Sequence, residues 1–252
     1  MIPLFKSHFS IGKSILTLSS SENHEDSSDS IFSICSSNNI NKVVLVEDSL
    51  TGFLEAFKNS SELGLQLIFG LRISICDNIE DPNESNSHKV VVFCKNADGY
   101  KLLTKIYSFA FTQGNGKIDF KNLKILWSSD DLLLFIPFYD SFIFRNNLTF
   151  ASCIPDFSGL SPSFFIERND LPFDALLEDK VIDFCKSNGY NTEVAKSIFY
   201  KNRDDFESYQ TYKCICNRRF GKGIGLDKPN LDHCGSREFC FESWLELENE
   251  IT

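Results

Sequence analysis

The chain is poor in the residues that most metal and redox chemistry depends on. Its 252 residues include four histidines, one methionine and two tryptophans, and 35 acidic residues outnumber 25 Lys and Arg. Four imidazoles are a thin donor supply for a metal enzyme. The formal net charge of −10 excludes a broad basic surface of the kind that grips nucleic-acid phosphates, though one local basic patch stays open. Long apolar runs are also missing. The longest, "DLLLFIPFYDSFIF", is broken by Pro137 and Asp140 and falls short of the roughly 18 residues of a membrane span, so no membrane association is expected. The N-terminal "MIPLFKSHFSIGKSILTL" has neither a continuous apolar run nor a small-residue cleavage site, so no secretory signal is expected. "GKGIG" at 221–225 lacks the preceding strand and the Lys-Ser/Thr ending of a phosphate-binding loop. There is no Gly-x-Ser-x-Gly elbow, so nucleophilic catalysis has no visible support.

What is present is ample core material: 42% hydrophobic residues and 25 Phe, enough for a single α/β barrel or two smaller domains. The nine cysteines are an odd number and lie mostly in apolar segments, such as Cys94 in "VVVFCK" and Cys185 in "VIDFCK". They read as small buried hydrophobes in a reducing compartment, and a cytoplasmic location is expected. A zinc site could be drawn from Cys214, Cys216, His233, Cys234 and Cys240, but the spacing matches no common zinc pattern.

Two polar stretches, "SSSENHEDSSDS" (19–30, with His24) and "DNIEDPNESNS" (77–87), read as loops. Around them the periodicity alternates. "VVLV" (43–46) reads as a buried strand, and Leu50, Phe53, Leu54 and Phe57 follow helical spacing. "LQLIFGLRISI" and "KVVVFC" are strand-like, and "ADGYKLLTKIYSFAFTQG" is a helix predicted to end at Gly114. "LLLFIPF", "SFIF" and "LTFASC" are predicted as strands. A helix is predicted from Asp174 to Gly189, then the strand "EVAKSIFY" and the helix "RDDFESYQTYKCICN". Alternation of this kind means an α/β fold, a mostly parallel sheet or a barrel. The tail after Asn217 is expected to pack back through Phe239, Phe241 and Trp244 and to end in a short acidic helix, giving a division into 1–217 and 218–252. The basic stretch "KCICNRRFGKGIGLDK" offers Arg218, Arg219 and Lys222 as phosphate contacts, or else is a solvated loop.

Several of these pieces, taken in order, carry a family resemblance. They are Lys6-Ser7-His8, Asp48-Ser49, "GFLEAF" from Gly52, "GLQLIFGLR" from Gly64, "FCKNADGYKLLTKI" from Phe93 and "SIFYKNRDDFESYQTYKCI" from Ser197. Together they resemble the PHP (polymerase and histidinol phosphatase) domain, most of all the version at the N-terminus of the bacterial DNA polymerase III alpha subunit. The resemblance covers most of residues 1–217. It implies a distorted (β/α)7-type, TIM-like barrel of parallel strands, with two or three metal ions at the C-terminal strand ends of active members.

Carried over residue by residue, the implied ligand set is mostly exchanged. The first His of His-x-His is Lys6, leaving His8. Asp48 matches the Asp of Thr-Asp-His, with Ser49 in the place of its His. A family Glu is Arg72, a Cys or His position is Phe138, and Asp-x-His reads Ser197-Ile198-Phe199. His88 lies within one residue of a family His. The remaining metal candidates are His8, Asp48 and His88, so no cofactor is expected; an active site would use Zn²⁺ or Mn²⁺. Two basic residues where cations would sit suggest that Lys6 or Arg72 pairs with Asp48 in their place.

The resemblance implies a catalytically degenerate binding or scaffold module in DNA replication, docked to a replicative polymerase or a proofreading exonuclease subunit, with weak nucleic-acid binding or none. The alternative is a metal-dependent phosphoesterase of the 3′–5′ exonuclease kind, in which acidic loop residues (Glu22, Glu25, Asp26, Asp77, Asp81) reach the site. A third possibility is a remnant that contacts nucleic acid through the basic 213–228 stretch. With residues 1–217 occupied by a barrel, no polymerase reaction is expected of them.

Overall fold

A computed structural model describes residues 1–19, 29–81, 86–219 and 236–251. In chain order the elements are β1 (Ile2–Phe5), α1 (Ile31–Ser37), β2 (Lys42–Glu47), α2 (Phe53–Glu62), β3 (Gln66–Cys76) and β4 (Ser87–Cys94). Then follow α3 (Ala97–Thr112), β5 (Lys117–Asp119), α4 (Phe120–Ile125), β6 (Leu132–Ile136), α5 (Phe142–Leu148) and β7 (Ser163–Ile166). The last are α6 (Asp174–Asn188), β8 (Asn191–Ile198), α7 (Phe206–Arg219) and α8 (Phe241–Ile251).

The strands run β2-β1-β8-β7-β6-β4-β3, and β2 pairs again with β3, closing a seven-strand barrel. β5 pairs only with the far end of the long β3. One strand departs from the parallel arrangement the resemblance implies. β4 is antiparallel to both β3 and β6. The reason is the length of the connection: ten residues separate β3 from β4, and a parallel return in one sheet needs a crossover of about a dozen or more.

The period-2 alternation of each strand sorts its side chains into two layers. Leu4, Val44, Val46, Ile68, Val91, Phe93, Phe135, Phe165 and Ala195 point inward and fill the barrel. Phe135 stacks on Phe165 with ring centres 4.5 Å apart, and Phe93 meets Phe135 edge-on at 5.4 Å. Gly70 makes room for this packing, because a Cβ there would lie 2.5 Å from the Phe93 ring. The alternate residues Phe5, Leu45, Phe69, Leu71, Ile73, Val90 and Val92 face outward into the helix layer.

Local chemistry explains where the elements differ from the sequence expectations. "SFIF" begins a helix, because the Ser141 hydroxyl accepts from the Phe144 N–H as an N-cap and the buried Phe142 and Ile143 supply its inner face. "LTFASC" forms no strand. Asn146 bonds the backbone of Cys153 through both its amide groups, at 2.8 and 2.9 Å, doing what a strand partner would do. The strand "SFFI" (β7) went unread. α3 ends at Thr112 with Gln113 as its cap, and Gly114 is needed for space: a Cβ there would lie 1.8 Å from the Lys117 carbonyl. Gly189 does end α6, in the left-handed conformation (φ 72°). Asp174 is the first residue of that helix. Its carboxylate gathers the preceding loop, accepting from the N–H groups of Asn169 (2.8 Å) and Leu171 (3.1 Å) and from the Tyr139 hydroxyl (2.9 Å).

Phe239, Phe241 and Trp244 are buried in the main core, with Phe239 stacked 5.4 Å from Phe199. Arg203 pairs with Glu238 just before α8 and with Glu246 within it, and the Met1 ammonium meets Glu248 at 2.8 Å. No described helix is long and apolar enough to cross a membrane.

Candidate functional site

The same alternation that fills the barrel with Leu4, Val46, Gly70, Phe165 and Ala195 places the next inward position of each strand at the C-terminal mouth. Those positions are Lys6, Asp48, Arg72, Glu167 and Ser197. The mouth is therefore polar by register.

Asp48 is its centre. Lys6 Nζ donates to Asp48 Oδ1 at 3.0 Å, and a guanidinium nitrogen of Arg72 lies 3.7 Å from the same oxygen. Arg72 also pairs with Asp140 at 2.5 Å. The Lys6 and Arg72 side chains are 7% and 12% exposed, that of Asp48 30%. Burial alone would raise the Asp48 carboxyl, but the charges of Lys6 and Arg72 overcome it and hold it well below the usual carboxylate range. Burial pulls the Lys6 ammonium down, against the pull of Asp48. Burial also opposes the charge of Arg72, but Asp140 and Asp48 outweigh it and hold the guanidinium above its ordinary value.

The neighbouring acid, Glu47, points the other way and is fully buried. It accepts from the Ser7 N–H at 2.8 Å and from the Ser10 hydroxyl, and Ser10 Oγ in turn accepts from the Asp48 N–H at 2.9 Å. Burial raises its pKa, with Lys6 opposing. Glu47 thus pins the loop after β1, while Asp48 faces the mouth.

Across the barrel, Glu167 follows β7. It accepts from Ser197 N (2.8 Å), Ser197 Oγ (3.0 Å) and Asn169 Nδ2 (3.3 Å). Burial raises its carboxyl, with the Ser197 hydrogen bonds opposing. Asn169 also donates to the Tyr139 hydroxyl and accepts from Lys196 Nζ at 2.9 Å.

The mouth holds two cavities. An inner one of about 50 Å³ is lined by Lys6, Arg72, Tyr139, Glu167, Ser197 and Phe199, among others. An outer one of about 260 Å³ is lined by Lys13, Asp48, Arg72, Lys89, Asp140 and Arg145, with Ser74, Ser87 and His88.

Residues 20–135 match the PHP domain. Over that stretch the closed barrel is similar to a PHP domain. The chain is also similar to the DNA polymerase III subunit alpha of Rickettsia felis, with 23% identity over 224 residues, covering 84% of this chain and 17% of the relative. The chain therefore spans about a sixth of that relative's length.

The three metal candidates do not converge in this mouth. His8 lines neither cavity; its Nδ1 lies 3.3 Å from the Leu16 carbonyl and its ring 4.4 Å from that of Phe9. His88 belongs to the outward set of β4 and packs against Phe142 (5.5 Å) and Phe120 (6.1 Å), touching only the edge of the outer cavity. It is 3% exposed, and burial lowers its pKa to about 4. Among the described residues no group of three or more His, Cys, Asp or Glu could hold a metal ion.

Of the exchanged positions, Lys6, Arg72, Ser197 and Phe199 meet at the inner cavity. Ser49 instead donates to Thr51 Oγ1 at 3.0 Å and lines neither cavity. Phe138 faces the outer layer, and its neighbours Pro137 and Tyr139 line the cavity instead, a one-residue register difference. Arg218 and Arg219 end α7 and Lys222 lies outside the described residues, as do Glu22, His24, Glu25, Asp26, His233 and Cys234. Asp77 and Asp81 line neither cavity. Sequence reading passed over Lys13, Lys89, Asp140, Arg145 and Glu167. The signal for Glu167 was "FFIER", an unread strand whose alternation carries Phe165 to Glu167.

Proposed function

We propose that this chain is a metal-independent PHP-type barrel that serves as a binding or scaffold module in DNA replication. The observation that carries the reading is the Lys6–Asp48–Arg72 cluster. Two cations, each nearly buried, converge on the single carboxylate where a ligand-bound metal would need several anionic or neutral donors. The residues present do not fit a multi-metal centre. The similarity to a polymerase III subunit supports the replication setting. A replicative polymerase or a proofreading exonuclease subunit is the partner class this reading favours, and the cytoplasm its location.

The test is elemental analysis of purified protein after incubation with excess Zn²⁺ and Mn²⁺ and desalting, followed by hydrolysis assays on DNA ends. Near-zero metal together with no hydrolysis is expected. Two or more ions per chain with phosphodiester cleavage would replace this reading by a metal-dependent phosphoesterase. Co-purification with a polymerase or exonuclease subunit then tests the scaffold role.

A further inference from the structure

The outer cavity carries more positive charge than its own carboxylates neutralise. Lys13, Arg72, Lys89 and Arg145 line it against Asp48 and Asp140, so four cations face two carboxylates and leave a surplus of two. The carboxylates are already engaged, Asp48 by Lys6 and Arg72, and Asp140 by Arg72. Among the described residues Lys13 and Arg145 form no ion pair. Among the described residues the Lys89 ammonium is held by the Ser74 hydroxyl, at 2.6 Å. Two of the lining residues carry a buried nitrogen with no hydrogen-bond partner among the described residues, Arg145 Nε and His88 Nε2. Cations in excess of carboxylates, with unpartnered polar nitrogens on the same residues, form the donor set that an anion requires.

We propose that this cavity binds a phosphoryl group directly, without a metal ion, through Lys13, Arg72, Lys89 and Arg145. The proposal rests on the metal-independent reading of the mouth. A phosphate monoester matches the surplus, since it carries close to two negative charges and three acceptor oxygens. A carboxylate brings one charge and would leave one cation unanswered. At about 260 Å³ the cavity lies below the roughly 300–1,000 Å³ of sites that enclose whole small ligands, so it takes a phosphoryl group and leaves the rest of the ligand outside. That group can belong to a free phosphate or to the phosphorylated end of a nucleic-acid strand.

The experiment is calorimetric titration of the full chain, in EDTA and at fixed ionic strength, with inorganic phosphate. It is repeated with a short single-stranded oligonucleotide carrying a terminal phosphate or a terminal hydroxyl. Saturable phosphate binding is expected, weakened about tenfold in Lys13→Gln and in Arg145→Gln, the size of one charge-assisted hydrogen bond. Among the described residues neither side chain has a bonded partner, so both variants should melt with the wild type in phosphate-free buffer. Tighter binding of the phosphorylated oligonucleotide than of its hydroxyl form identifies a strand end as the source; equal binding identifies a free phosphate. No saturable phosphate binding, or binding unchanged in both variants, overturns the proposal while leaving the metal-independent reading standing. Binding that appears only after Mn²⁺ is added overturns both. Binding of a glutamate-rich peptide without any of phosphate would assign the cavity to a protein partner instead.

Discussion

Replacing Arg72 by Glu reverses the sign of the charge that two carboxylates depend on. Arg72 is 12% exposed and pairs with Asp140 at 2.5 Å and Asp48 at 3.7 Å. Removing one partner of a buried pair costs about 3–5 kcal/mol. Two features reduce that figure. Asp48 keeps Lys6 at 3.0 Å, and the Asp140 side chain is 42% exposed, so its share is that of a screened surface pair. A loss of roughly 2–4 kcal/mol follows for Arg72→Glu. In a chain of this size that corresponds to a fall in Tm of roughly 5–15 °C. Arg72→Gln, which removes the charge without inverting it, should fall between the variant and the wild type.

The pH dependence separates repulsion from lost packing. Among Asp48 and Asp140 the introduced carboxyl has a folded pKa above its unfolded value. Its penalty is then full at high pH and fades as pH falls through the folded pKa. Thermal unfolding by circular dichroism, in EDTA, should therefore show a wider gap between Arg72→Glu and Arg72→Gln at pH 8 than at pH 5.5. An Arg72→Glu protein that melts with the wild type at pH 8 would refute the claim that cations hold this mouth together.

Other perturbations follow from the same geometry. Lys6→Met should raise the acid midpoint of unfolding, because the Asp48 carboxyl, depressed in the folded state, contributes stability above its unfolded pKa and loses it as pH falls through the folded value; an unchanged acid midpoint would contradict it. For His88 the folded pKa of about 4 lies below the unfolded value of 6.5, so stability is lost as pH falls from 6.5 toward 4, by roughly 3 kcal/mol. His88→Phe should lose less stability than the wild type between pH 7 and pH 4.5 by urea unfolding, and equal losses would overturn the assignment. Trp244→Ala removes a buried ring stacked 5.4 Å from Phe241 and should destabilise by about 3–5 kcal/mol; a loss well under 1 kcal/mol would mean that α8 does not support the barrel.

Much of the fold could be read from the alternation of "VVLV" and "LQLIFGLRISI", because period-2 patterning with one layer inside and one outside is written directly in the residues. Short apolar runs could not be read that way. "SFIF" satisfies a strand and a helix equally, and the Ser141 cap decided it. The pairing of Asp48 with Lys6 or Arg72 was legible because one exchanged position follows directly on a strand and the other lies within one, so their inward register can be counted; the structure joins both cations to Asp48. His88 was misplaced for the same reason in reverse, since one residue of register moves a side chain through the sheet. Lys13, Asp140 and Arg145 lie in loops or a short helix, where no period says which way a side chain points.

The seam between β1 and β8 sets a timetable for the barrel. Ile2 is made long before Ala195, its partner on one side. At roughly 5–20 residues per second, the first strand waits on the order of 10–40 s for that neighbour during translation. Through that interval β1 has at most one edge paired, and the barrel exists only as an open, curling sheet. Sequence-distant closure of this kind slows folding, and it makes the nascent chain most vulnerable to mispairing just before β8 emerges.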